Sequence, residues 1–277
     1  MLADAASASA DLARRVAEEP GALQGLVEAV AAGGAVATIN LQITAAHSSL
    51  ALAKMSPASP EVTRHVTEDP RALPTLVAAV AAGGAAAAEP VQTAAANCAA
   101  VLANMALASP DLARRMAEEP RALPTLIAAV AAGAAETALG LQVSAAADSA
   151  VVLGEMAFAS RELAQSVADE PGALPTLVAA MAAGGAAAAE RVQIAARNST
   201  TALGKIASAS PALAQRVAEA PGALQTLVTA VAAGGAEAAV DLQATAGNSA
   251  RVLAIIAAVD TGRRHGSWRR CGCRTCA

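Results

Sequence analysis

Pro171-Gly-Ala-Leu-Pro-Thr-Leu-Val-Ala-Ala-Met-Ala-Ala-Gly184 is one of five near-copies of the same stretch. Its opening proline recurs at Pro20, Pro70, Pro120, Pro171 and Pro221, at spacings of 50, 50, 51 and 50 residues. A small-residue corner follows each proline by 13 residues, at Gly33, Gly83, Gly133, Gly184 and Gly234. A glutamine follows 9 residues later, at Gln42, Gln92, Gln142, Gln193 and Gln243. Punctuation in such constant register marks tandem structural units.

Three helices fit within one copy. In the third copy, Asp111 to Glu118 reads as a short helix halted by Pro120, because the residue before a proline is pushed out of the α region. Ala122 to about Ala132 reads as a second helix that tolerates Pro124 in its first turn. It ends at a glycine suited to a left-handed cap. The third runs from about Leu141 to Phe158. Its core line is clearest as Leu41, Ala45, Ser48, Leu52 and Met55, which stay within about 40° of one line at 100° per residue. Alanine and serine at the middle of that line permit close helix approach. The glutamines sit beside it and are expected to bond to a corner or a neighbouring repeat. Gln142 to Met156 spans 14 residues where the other copies span 13, which predicts a local irregularity in the middle copy's third helix, its face turned by about 100° unless a π-bulge or a shifted helix start absorbs the extra residue.

Composition agrees with helices. The 277-residue chain is 55% apolar but only 1% aromatic, so its core must be built from Ala, Leu, Val, Ile and Met. Alanine and leucine lead the helix scale, and strand formers are thin, which excludes an all-β fold. A mean hydropathy of +0.46 with a net charge of −4 excludes disorder throughout. One unit cannot bury its own apolar stripe, whereas stacked neighbours share a continuous core. The expected fold is all-α: a right-handed α-solenoid of about five three-helix repeats of about 50 residues. The repeats divide as 11–60, 61–110, 111–161, 162–211 and 212–259, with 1–10 as the end of a truncated repeat and 260–277 as a basic, cysteine-containing disordered tail.

Over roughly residues 2–259 the chain resembles the armadillo repeat family. The likeness is carried by Pro171-Gly-Ala-Leu-Pro-Thr-Leu-Val-Ala-Ala180, the glycine corner, Val192-Gln193 and Ala202-Leu-Gly-Lys-Ile-Ala207. The unit here is longer than the family's, mostly around the Ala-rich corner. The resemblance implies third helices lining a concave groove, with an asparagine at the place of Asn104 holding an extended peptide backbone. Asp4, Lys54, Glu155, Lys205 and Ile255 occupy the equivalent places. The tryptophan of the importin-α branch is absent, with Ala100, Thr201 or Arg251 standing there, which argues against binding of nuclear-localisation signals.

The candidate site is the stripe of the third helix opposite its core line. Its residues are His47, Lys54, Asn97, Asn104, Asp148, Glu155, Asn198, Thr201, Lys205, Asn248 and Arg251. Amides there suit a peptide backbone, and the mixed charges suit selection. The expected function is a non-enzymatic scaffold binding a protein or extended peptide along this groove. The alternative is a structural segment stacking end to end in a larger assembly, with self-association through uncapped ends.

Other classes are weaker. His47, His65 and His265 do not recur in register, so no relay forms, and no nucleotide motif has its context. No cofactor or metal is expected: Cys271, Cys273 and Cys276 lack the usual knuckle spacing. Cys98 replaces the serine seen at Ser48, Ser149, Ser199 and Ser249 and reads as a small buried residue. The acidic pairs before four of the five prolines read as helix-terminus and surface-pairing charges. Residues 1–261 carry 14 bases against 23 acids, which argues against nucleic acid as a partner. No membrane span is expected, since the stretch from Ala29 to Ala53 is alanine-rich and interrupted by polar residues. The cytoplasm, or the nucleus, is the expected location.

Overall fold

The computed structural model describes residues 10–19, 21–57, 63, 64, 66, 68–135, 138, 140–235 and 238–271. Its elements are all helices, with no strand among the described residues. Short first helices are α1 (Ala10–Glu18), α6 (Pro110–Glu118), α9 (Arg161–Asp169) and α12 (Pro211–Glu219). Second helices are α2 (Ala22–Ala32), α4 (Ala72–Ala82), α7 (Ala122–Ala134), α10 (Ala173–Ala183) and α13 (Ala223–Ala233). Third helices are α3 (Ile39–Met55), α5 (Glu89–Ala108), α8 (Gly140–Ala159), α11 (Glu190–Ala209) and α14 (Val240–Cys271). The first helix expected in the second copy lies partly outside the described residues, as do residues 1–9.

Local chemistry explains the boundaries. The hydroxyls of Ser109, Ser160 and Ser210 accept from the backbone N–H of Asp111, Leu163 and Leu213, capping α6, α9 and α12. Gly21, Gly172 and Gly222 enter α2, α10 and α13 at φ 79°, 81° and 73°, a region that suits glycine. Arg71 and Arg121, at the same place, keep φ of −92° and −100°. The acidic residues close the first helices; Arg64 pairs with Glu68 one turn on, and Arg14 bonds to Asp11 while lying 3.9 Å from Glu18. Arg114 likewise bonds to Asp111, and also to the carbonyl of Ala159.

The corner glycines serve a different purpose from the one expected. Gly33, Gly83, Gly184 and Gly234 have φ between −80° and −92°, so none is a left-handed cap. A Cβ at Gly33, Gly83, Gly133, Gly184 or Gly234 would lie 2.1–2.2 Å from the Cβ of Ala45, Ala95, Ala146, Ala196 or Ala246. Glycine is required because the end of each second helix rests directly on the third. Four of these corners are tied down by glutamine: Gln42 donates to the carbonyls of Ala35 and Ala37, Gln92 to Ala87, Gln193 to Ala188 and Gln243 to Ala238.

The middle copy absorbs its extra residue without irregularity. Gly133 is followed by alanine where the other corners have a second glycine, and α7 continues to Ala134. The added residue falls in the corner, and α8 is regular from Gly140 to Ala159. Val143 thereby takes the place of Gln92 and Gln193, and Gln142 that of Val91. A second correction concerns the tail: α14 runs unbroken to Cys271, so most of the segment expected to lack structure from 260 onward is helical.

Successive third helices pack on one another in the order α3, α5, α8, α11, α14, and successive second helices in the order α2, α4, α7, α10, α13. The first helices α6, α9 and α12 wedge between consecutive third helices; α6, for example, touches both α5 and α8. One apolar cluster runs through the whole arrangement, with Leu52, Leu102, Leu153 and Leu203 fully buried at equivalent places. Cys98 lies in it, and burial pushes its thiol up to about 12. Among the described residues two stretches, α5 and Val240–Val259, are long and apolar enough to cross a membrane; two-thirds of α5 is buried against its neighbours.

Candidate partner-binding face

The third helices share one register, so residues at the same distance from each helix start form rows across the stack. The ninth residues are His47, Asn97, Asp148, Asn198 and Asn248; the twelfth include Thr201 and Arg251; the sixteenth are Lys54, Asn104, Glu155, Lys205 and Ile255. Because the five helices pack in sequence, these rows occupy one continuous face. His47, Lys54 and Arg251 are exposed, and the other candidate residues are half-buried.

Half-burial reflects bonding between repeats. Asn97 Nδ2 donates to the Ala46 carbonyl and to Ser49 Oγ, each at 3.3 Å. Asn104 Nδ2 donates to Ser56 Oγ at 2.8 Å, Asn198 Nδ2 to the Ala147 carbonyl at 3.0 Å, and Asn248 Nδ2 to Thr201 Oγ1 at 2.9 Å. Lys205 reaches Glu155 at 2.7 Å. Each of these bonds runs to the preceding third helix. The amide protons therefore hold the stack together, and the carbonyl oxygens of Asn97, Asn104 and Asn248 have no donor among the described residues. Arg251 lies against Gly204, where a Cβ would come within 3.1 Å of its guanidinium.

Asp148 breaks the pattern. It stands in the row of Asn97 and Asn198 but has no proton to donate when ionised. Among the described residues it has no hydrogen-bond or ion-pair partner. Burial raises its carboxyl to about 6. The row of donors thus has one gap, at the α5–α8 boundary, and an acceptor fills it.

Three features of this face were missed in the sequence. Phe158 is 68% exposed and Leu107, at the same place on α5, is 61% exposed. The Lys205 ammonium lies 5.2 Å from the Phe158 ring, which joins the aromatic to the Lys205–Glu155 pair. Arg197 bridges α11 and α14 through Asp241 and also contacts Asn198 Oδ1. A signal for Phe158 was present: three residues beyond Glu155, it falls within about 60° of it around the helix. Among the described residues, no three His, Cys, Asp or Glu side chains gather as a metal would need.

No family model matches the chain, and no curated protein matches it. The fold is similar to solved structures. One is the crystal structure of an engineered protein from the Northeast Structural Genomics Consortium, with a TM-score of 0.68 over 93% of this chain and 88% of that chain. Sequence identity is 17%, so the likeness speaks for the fold alone.

Proposed function

We propose that the chain is an armadillo-like, right-handed α-solenoid that binds an extended segment of a partner protein along its third-helix face and carries out no catalysis. The five-fold repeat, the order of helix packing and the similarity of fold support the architecture. The observation that carries the binding reading is Phe158. In a chain with so few aromatics, this ring lies largely in water beside Lys205 and Glu155 while smaller residues fill the core. Exposed aromatics with a polar surround are the usual anchors of protein interfaces. The asparagines fix the spacing of the helices and offer their carbonyl oxygens, while His47, Lys54, Asp148, Thr201 and Arg251 supply choice. This reading places the protein in the cytoplasm or nucleus.

The test is quantitative binding of a captured partner to the wild type and to Phe158→Ser, serine being the residue at the equivalent Ser208. Binding should weaken at least about tenfold with helical content unchanged. Val36→Ser, at an exposed corner residue, should have no effect. Equal affinity of Phe158→Ser and the wild type would overturn the reading.

A further inference from the structure

The two outer faces of the described stack differ from every internal one. On α10, which the following second helix α13 packs against, Leu174, Val178 and Met181 are buried. The same positions on α13 are Leu224, Val228 and Val231, exposed at 44%, 53% and 39%. At the opposite end, Leu41 and Ile43 on α3 are exposed at 43% and 40%. Their equivalents Val192 and Ile194 pack against Val143 and Ala147 of the preceding third helix. One end therefore presents the surface that internally receives a repeat, and the other presents the surface that internally docks on one.

We propose that a second copy of this chain docks head to tail, with α2 and α3 of one copy covering α13 and α14 of the other. The internal boundaries state what covers such a face. The segment Ala22-Leu-Gln-Gly-Leu-Val-Glu-Ala-Val-Ala-Ala32 repeats Ala223-Leu-Gln-Thr-Leu-Val-Thr-Ala-Val-Ala-Ala233 apart from two residues, so α2 offers the surface that α13 offers to α10. Leu26 is only half-buried, where its equivalents Leu177 and Leu227 are fully buried, so α2 retains apolar area for the contact. On α14, exposed Gly247, Ala250 and Ala254 allow a third helix the close approach that Ala147, Ala150 and Gly154 allow inside.

Charge follows the same template. Internally, Arg216 of α12 pairs with Asp169 of α9, and hydrogen bonds from Gln165 and then Arg216 hold the Asp169 carboxyl below the usual carboxylate range. The equivalent residues across the junction are Arg15 of one copy and Glu219 of the other, both exposed, with Arg15 unpaired among the described residues. Because the two surfaces differ, the contact is heterologous, and each pair of copies keeps one free face of each kind to which further copies can add. It is independent of the third-helix face and stands whether or not that face binds a partner.

Sedimentation of the full chain tests this. The wild type should show mass rising with concentration. Val228→Glu disables one face and Leu41→Glu the other, both at exposed positions that leave folding intact by circular dichroism. Each variant alone should stay at 26.9 kDa. Mixed, they should form a species of two chains, because each supplies the face that the other has lost. Glu219→Arg should weaken association by about two- to five-fold, and adding Arg15→Glu to the same chain should restore it. A wild type that stays monomeric at high concentration, or variants that fail to pair when mixed, would overturn the proposal.

Discussion

Asp148 is the residue at which the stack gives up stability. In the row where Asn97 and Asn198 each donate to the helix behind them, it presents a half-buried carboxyl without a partner. Its folded pKa is raised from 3.8 to about 6, so the fold favours the protonated form. Below about pH 4 both states hold the proton and nothing is lost. As pH rises through 4 to 6 the unfolded chain ionises first, and stability falls by at most about 3 kcal/mol, then levels off. Asp148→Asn should remove that fall and raise the melting temperature at neutral pH, since an amide can donate to the Ala96 carbonyl as Asn198 does to Ala147. Urea denaturation of both proteins at acid and neutral pH measures it; an equal acid-to-neutral change in the two would contradict the assignment. Ser149 and Ser199 make a second case. Among the described residues their hydroxyls are buried without a partner, in the row where Cys98 places a thiol. Either serine replaced by alanine should leave stability unchanged or raise it by up to about 1 kcal/mol, as an orphaned hydroxyl is removed from a helix that alanine favours. A loss above that size in the same denaturation experiment would show that the hydroxyl has a partner.

At the scale of elements, the contact between second and third helices decides the shape of each repeat. Gly184 meets the Cβ of Ala196 at 2.1 Å once a methyl is built on it, while its other neighbours stand at 3.5 Å. Gly184→Ala should therefore cost about 2–3 kcal/mol by forcing the helices apart. Adding Ala196→Gly removes the clash, and the double variant should recover at least about 1 kcal/mol despite glycine's poor helix propensity. Thermal melts of the three variants give the coupling directly; additive losses would mean that the clash is relieved elsewhere. The corner also shows what a sequence reveals. Its position was legible because Gly33, Gly83, Gly133, Gly184 and Gly234 keep one register, and the glutamine bonds to corner carbonyls followed from their place beside the core line. The reason for glycine was not legible, because a contact between two helices leaves no trace in the local pattern of either. The regular α8 was misjudged for a related reason. Counting from Gln142 placed the extra residue inside the helix, whereas the missing second glycine after Gly133 placed it in the corner.

Across the whole molecule, the all-helical fold could be read from composition and from the spacing of prolines, glycines and glutamines. The candidate face was legible as a row of polar positions. What those positions touch was not, since Asn97 and Asn198 bond across about 50 residues of sequence to a helix whose distance no periodicity encodes. The distinction matters for experiment. Replacing the asparagines would loosen the stack as well as alter the face, whereas Phe158, 68% exposed beside Lys205, reports chiefly on the face. The most direct measurement of the central claim is hydrogen–deuterium exchange of the protein with and without its captured partner, read as protection along the chain. Partner binding should slow exchange in α8 and α11, around Asp148 to Phe158 and Asn198 to Lys205, and leave α13 unchanged. Protection confined to α13 and the start of α3, with none on α8 and α11, would contradict it.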